Sequence, residues 1–171
     1  MIISLVGYMG CGKSHISKIL SEKLHFKLID LDKEISKRNK LTIPEIFEKK
    51  GEIYFRKLER ETLEEILAGE ENVVLSLGGG TPVYYNNMEI INHNSKSIFL
   101  RASIGTLTER LSKQKEKRPL IANISDENLP EFIAKHLFER NEFYNKAQFS
   151  ISTDSRDPEE IVSEIIEKLY L

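Results

Sequence analysis

Cysteine is nearly absent from this chain. Cys11 is the only one in 171 residues, which excludes an internal disulfide and any cysteine-rich metal centre. Long apolar runs are missing as well. Stretches such as Val73 to Leu75 and Ile98 to Leu100 fall far short of the roughly 18 residues that read as a membrane helix. No charge of one sign dominates: 25 Lys and Arg stand against 27 Asp and Glu, for a net charge of −2. That balance argues against disorder, an acidic tail or a basic nucleic-acid footprint. A small anionic ligand remains compatible with it, because local clusters matter more to such a ligand than the total. The opening segment, Met1 to Gly7, has no charged region before its apolar stretch and no small-residue cleavage site. It reads as a strand rather than a signal peptide. Internal repeats, low-complexity stretches and linkers are also missing. The reading is one soluble domain over residues 1–171, in a reducing compartment such as the cytoplasm, with no membrane or nucleic-acid partner.

What is present is enough for a core. The chain is 40% hydrophobic, and one of about this size buries roughly 70% of its extended surface. Short apolar runs alternate with helical patterns, the signature of an α/β fold with a parallel sheet. Ile2 to Val6 is apolar except for Ser4, as a strand buried on both faces should be. Further strands are expected at Phe26–Ile29, Val73–Leu77, Ser97–Arg101 and Phe149–Ser152. Ile16, Ile19, Leu20 and Leu24 mark a first helix. Thr42-Ile43-Pro44-Glu45 fits a capping box for a helix that Gly51 would close. A longer helix follows to Gly69, and a short one is capped by Asn86 or Asn87. Others run from about Ser103 to Leu111, from a cap at Ser125 or Asp126, and from Asp157-Pro158.

Gly7-Tyr8-Met9-Gly10-Cys11-Gly12-Lys13-Ser14 fits the pattern G-x-x-x-x-G-K-[ST], and it follows a strand and opens a helix, the context that pattern requires. Glycines let successive backbone N–H groups curl toward phosphate oxygens, and the helix start adds the positive end of its dipole. Lys13 supplies a charge to the β/γ-phosphates and Ser14 a hydroxyl for Mg²⁺. The expectation is a nucleoside triphosphate site. Cys11 reads as a small residue in a tight turn. A GTPase would add D-x-x-G and N-K-x-D motifs, and the sequence contains neither.

The acceptor side is less specific. Asp30 and Asp32 close the second strand, and in extended chain their spacing points both into the crevice above the sheet. One reading gives one carboxylate to the Mg²⁺ shell and the other to an acceptor hydroxyl. The other reading makes Asp32 a helix cap and Asp30 a solvated turn residue. Gly78-Gly79-Gly80 implies close backbone approach by a ligand or another segment. Arg56 and Arg140 are either surface charges or grips for a carboxylate. Arg118-Pro119 lies in a polar stretch, about residues 113–123, that reads as a mobile lid.

In order, the phosphate loop, Asp30-x-Asp32, Phe55-Arg56, Gly78-Gly79-Gly80, Lys117-Arg118-Pro119-Leu120 and Glu139-Arg140-x-x-x-Tyr144 resemble the shikimate kinase family over nearly the whole chain. The resemblance implies a three-layer P-loop kinase fold, with five parallel strands in the order 2-3-1-4-5 flanked by helices and a lid. It implies transfer of the γ-phosphoryl group of ATP to the 3-hydroxyl of shikimate, a step of chorismate and aromatic amino-acid biosynthesis. Carried over by residue, Gly10, Cys11, Gly12, Lys13, Ser14 and His15 hold the ATP phosphates. Ser14 binds Mg²⁺, and Asp30 supports its shell through water. Asp32 accepts the proton and holds shikimate hydroxyls, with Lys13 and Arg118 as its catalytic partners. Arg56 and Arg140 clamp the carboxylate, and the Gly79 and Gly80 backbone meets a ring hydroxyl. Arg110 and Arg156 fall where the family packs adenine, and a helical region of about residues 32–68 carries the acceptor. His15 departs from the family, which more often has a second hydroxyl residue there. The chain is expected to be a monomer. The alternatives are a gluconate-kinase-like enzyme of the same fold, which would differ at Asp32, Arg56 and Arg140, and a non-catalytic nucleotide-binding regulator.

Overall fold

A computed structural model describes residues 1–170. Five strands form one parallel sheet: β1 (Ile2–Val6), β2 (Lys27–Asp30), β3 (Val73–Ser76), β4 (Lys96–Arg101) and β5 (Phe149–Ser152), in the order β2-β3-β1-β4-β5. The register pairs Leu5 with Ser76 of β3 and with Ile98 of β4. Residue type explains the order. Every residue of β1 and β3 is buried, and so is the middle of β4, as continuous apolar strands require. β2 and β5 sit at the edges and are more exposed.

Seven α-helices among the described residues flank the sheet: α1 (Lys13–Leu24), α2 (Leu31–Asn39), α3 (Ile43–Leu67), α4 (Asn87–Asn94), α5 (Ile104–Ser112), α6 (Leu129–Tyr144) and α7 (Pro158–Lys168). The capping box is formed: Glu45 N–H donates to Thr42 Oγ1, and Thr42 N–H donates to Glu45 Oε2 at 2.7 Å. Gly51 does not separate two helices by a loop. Its left-handed φ of 84° kinks α3, which resumes at once. Asn86 is the residue before α4, and α6 begins later than the sequence suggests, after Asn128. The reason is that Ser125 Oγ accepts from Asn128 N–H and so caps the turn ahead of the helix. No described helix is long and apolar enough to cross a membrane.

β1 lies between β3 and β4; the connection leaving β1 runs to β2 at one edge, whereas the connection leaving β3 crosses to β4 on the other side. Such a switch point opens a crevice at the carboxyl ends of the strands. Gly7 follows β1 there, and Gly78 to Gly80 follow β3.

Candidate active site

The first wall of the crevice is the phosphate loop. Gly10 and Gly12 take φ of 80° and 105°, left-handed conformations that a side chain would strain. Lys13 Nζ donates to the carbonyls of Gly7 at 2.6 Å and Tyr8 at 3.0 Å. Its ammonium therefore sits over the loop it is expected to serve. Cys11 is buried, with Sγ against Gly7, which fits its reading as a small packing residue.

A cavity of about 510 Å³ opens over this loop. Gly10 through His15, Asp30, Asp32, Gly79, Arg110, Arg118 and Arg156 all line it, so the whole of the expected nucleotide set meets in one place. Arg110 is fixed there by bonds from Nη1 to Gly10 O at 3.2 Å and from Nη2 to Thr153 O at 3.1 Å. Arg156 donates to Ser152 O and to Glu164. Arg118 has a buried Nε with no partner, a free donor at the rim of an anion site. A broader hollow of about 990 Å³ along α7 is rich in glutamates and has no glycine loop.

The second wall is the Gly78–Gly80 turn, and each glycine has its own visitor. A Cβ on Gly78 would stand 3.1 Å from Asp32 Oδ1, and one on Gly80 would stand 2.8 Å from both terminal nitrogens of Arg56. Gly79 O accepts from Arg140 Nη1 at 3.0 Å and from the Tyr144 hydroxyl at 2.6 Å. The bare backbone lets Asp32, Arg140 and Arg56 approach together. Gly80, Arg56 and Arg140 border the phosphate cavity rather than line it, which sets them one step away from the nucleotide loop.

The two aspartates differ from the extended pair that their spacing implies. Asp30 ends β2 and caps α2, accepting from Lys33 N–H at 3.1 Å. Asp32 already lies in the first helical turn. Capping thus belongs to Asp30, and Asp32 is left free to face the crevice. Burial, then the neighbouring charges of Glu59 and Asp30, push the Asp32 carboxyl up to about 6, against the pull of Lys13 and Arg56.

Arg56 is held from several sides. Nη1 donates to Glu59 Oε1 at 2.9 Å, and the guanidinium carbon lies 3.9 Å from the centre of the Tyr84 ring. Its Nε is buried without a hydrogen-bond partner. Glu59 is 1% exposed, and its Oε2 accepts from Thr81 Oγ1 at 2.8 Å. Asn87 Nδ2 in turn donates to Thr81 O, and Arg60 donates to Asn87 Oδ1. Thr81 therefore ties the glycine turn to the Arg56 support. Sequence reasoning missed Glu59 and that role of Thr81. The i, i+3 spacing of Arg56 and Glu59 was the available signal.

The shikimate kinase family model matches residues 9–170. The chain belongs to the shikimate kinase family. A shikimate kinase of Flavobacterium johnsoniae is 51% identical over 168 residues, covering 98% of both chains. The crystal structure of shikimate kinase from Bacteroides thetaiotaomicron superposes with a TM-score of 0.93 at 39% identity, covering 100% of this chain and 99% of that one. The Acinetobacter baumannii shikimate kinase, solved in complex with shikimate, gives 0.88 at 29% identity, covering 99% and 92%. The expected fold, with strand order 2-3-1-4-5, is the observed one. Family membership makes this chain a kinase that phosphorylates shikimate.

Proposed function

We propose that the chain transfers the γ-phosphoryl group of ATP to the 3-hydroxyl of shikimate, giving shikimate 3-phosphate and ADP, within aromatic amino-acid biosynthesis. The observation that carries the site assignment is the convergence of Asp32, Arg140 and Arg56 on the three successive glycines Gly78, Gly79 and Gly80. Shikimate is a small polyol with one carboxylate. Two guanidiniums with free or redirectable donors grip the carboxylate, and the Gly79–Gly80 backbone meets a ring hydroxyl. Asp32, made more basic by its surroundings, takes the proton of the attacking hydroxyl.

On the nucleotide side, the N–H groups of Gly10 to His15 cradle the phosphates, with Lys13 moving from the loop carbonyls to the β/γ oxygens. Arg110 and Arg156 border the base. The Mg²⁺ that ATP requires fits the residues present. Ser14 is exposed at the first turn of α1, and Asp30 lines the same cavity with one oxygen beyond its capping bond. No group of three His, Cys, Asp or Glu that could hold a metal ion occurs among the described residues. When bound, the metal neutralises charge that builds on the phosphate oxygens. Arg118, on a lid over residues 113–123, closes on the γ-phosphate and keeps water out. The enzyme works as a cytoplasmic monomer. The single buried Cys11 suits a reducing compartment.

Phosphorus NMR of the product should place the phosphate on the 3-hydroxyl. Arg56→Lys and Arg140→Lys should each raise the shikimate KM at least about tenfold, with the ATP KM little changed. An unchanged shikimate KM in both would refute the clamp.

A further inference from the structure

Arg140 is held by a partner outside the residues assigned so far. Its Nε donates to His136 Nε2 at 2.9 Å, one turn earlier on α6. A ring nitrogen that accepts carries no proton, so the neutral imidazole holds its proton on Nδ1. Nδ1 lies 2.8 Å from the Tyr8 hydroxyl, with the two rings edge-on and their centroids 5.4 Å apart. Burial pushes the Tyr8 phenol up to about 12, against the nearby Arg140 charge, so its oxygen stays a neutral acceptor at working pH. Because a guanidinium can only donate, the polarity of the whole chain is fixed: Arg140 to His136 to Tyr8. The other arm of Arg140 is fixed on Gly79 O, and two anchors set the plane of the fork.

We propose that His136 is a positioning residue, which aims Arg140 at the carboxylate of the acceptor and releases it when the imidazole gains a proton. The inference rests on Arg140 gripping that carboxylate. Protonation places a second N–H on Nε2, and two donors then face each other across the bond that had fixed the arginine. The ionisable groups around the ring are Tyr8 from the phosphate loop and Arg140 and Glu139 on α6 itself. Burial and the Arg140 charge hold the imidazole below its ordinary value of 6.5, with Glu139 opposing. Release therefore falls on the acid side of neutrality, and near pH 8 the arginine is held. Tyr8 also makes the phosphate loop part of the support of an acceptor-binding residue.

The test compares the wild type with His136→Gln, which keeps an acceptor but cannot titrate, and with His136→Phe, which keeps the ring volume and removes the acceptor. Near pH 8, His136→Phe should raise the shikimate KM about tenfold with kcat at saturation little changed. His136→Gln should stay within about threefold of wild type there. As the pH falls to about 5, the wild-type KM should rise several-fold relative to that of His136→Gln. Taking the ratio removes the titration of Asp32, which both proteins share. Nitrogen NMR of the imidazole should show the Nδ1-protonated tautomer near pH 8. A KM ratio that stays flat with pH, an unaltered KM in His136→Phe, or an Nε2-protonated ring would each overturn the inference. If Arg140→Lys leaves the KM unchanged, the clamp itself fails and the inference falls with it. If Arg140→Lys raises the KM while His136→Gln follows the wild type at every pH, only the role of His136 is lost.

Discussion

Asp32 should cost the folded enzyme stability, and its replacement by Asn should restore it. A carboxyl that titrates at about 6 when folded, against an ordinary 3.8, holds its proton more tightly in the native state. Its contribution is therefore full below the unfolded value and is lost as the pH rises through the folded one. At about pH 8 the loss is on the order of 3 kcal/mol. Burial is the largest cause and the Glu59 and Asp30 charges add to it, so an uncharged isostere removes most of the loss. For a chain of this size, Asp32→Asn should raise the Tm at about pH 8 by roughly 6–12 °C. Near pH 4 the two proteins should melt together, because the wild-type carboxyl is then protonated. The measurement is urea or thermal unfolding of both proteins at several pH values, without ATP or Mg²⁺. In the same variant kcat should fall by about 10²–10⁴ while ATP binding persists. A variant no more stable than wild type near pH 8, or a stability gap that does not change with pH, would mean that the Asp32 charge does not cost the fold.

Other outcomes follow from the same geometry. Gly80→Ala puts a methyl 2.8 Å from the Arg56 nitrogens, which must swing aside. The shikimate KM should rise at least about tenfold in steady-state kinetics, with the ATP KM unchanged. Glu59→Gln leaves Arg56 without its buried counter-charge, and denaturant unfolding should show a loss of about 3–5 kcal/mol. Hydrogen exchange over residues 113–123 should slow when ATP and shikimate are added together, and equal exchange with and without them would remove the lid from the mechanism.

Much of the site can be read from local sequence, because its parts are local. The phosphate loop is one contiguous turn between β1 and α1, and its glycines, Lys13 and Ser14 declare themselves by spacing. The alternating apolar runs likewise mark five strands, with ends displaced by one residue or so where capping rather than pattern sets the boundary. Asp30 shows why. The i, i+2 pattern treats both aspartates as strand residues, but capping by Asp30 starts α2 at Leu31 and turns Asp32 onto a helix. Glu59, Thr81, His136 and Tyr8 are harder to see, because their roles depend on contacts across the fold. Thr81 meets Glu59 at a separation of 22 residues, and Tyr8 meets His136 at 128. No periodicity encodes such pairs. Only the i, i+4 spacing of His136, Arg140 and Tyr144 along α6 hints that one face of that helix serves the site.

The identity of the acceptor is settled by a coupled ADP-release assay with MgATP and shikimate, gluconate or a nucleoside monophosphate offered singly. Shikimate alone should support turnover, with only background ADP release from the others. Comparable turnover on gluconate, or ADP release that ignores the acceptor, would contradict shikimate as the acceptor.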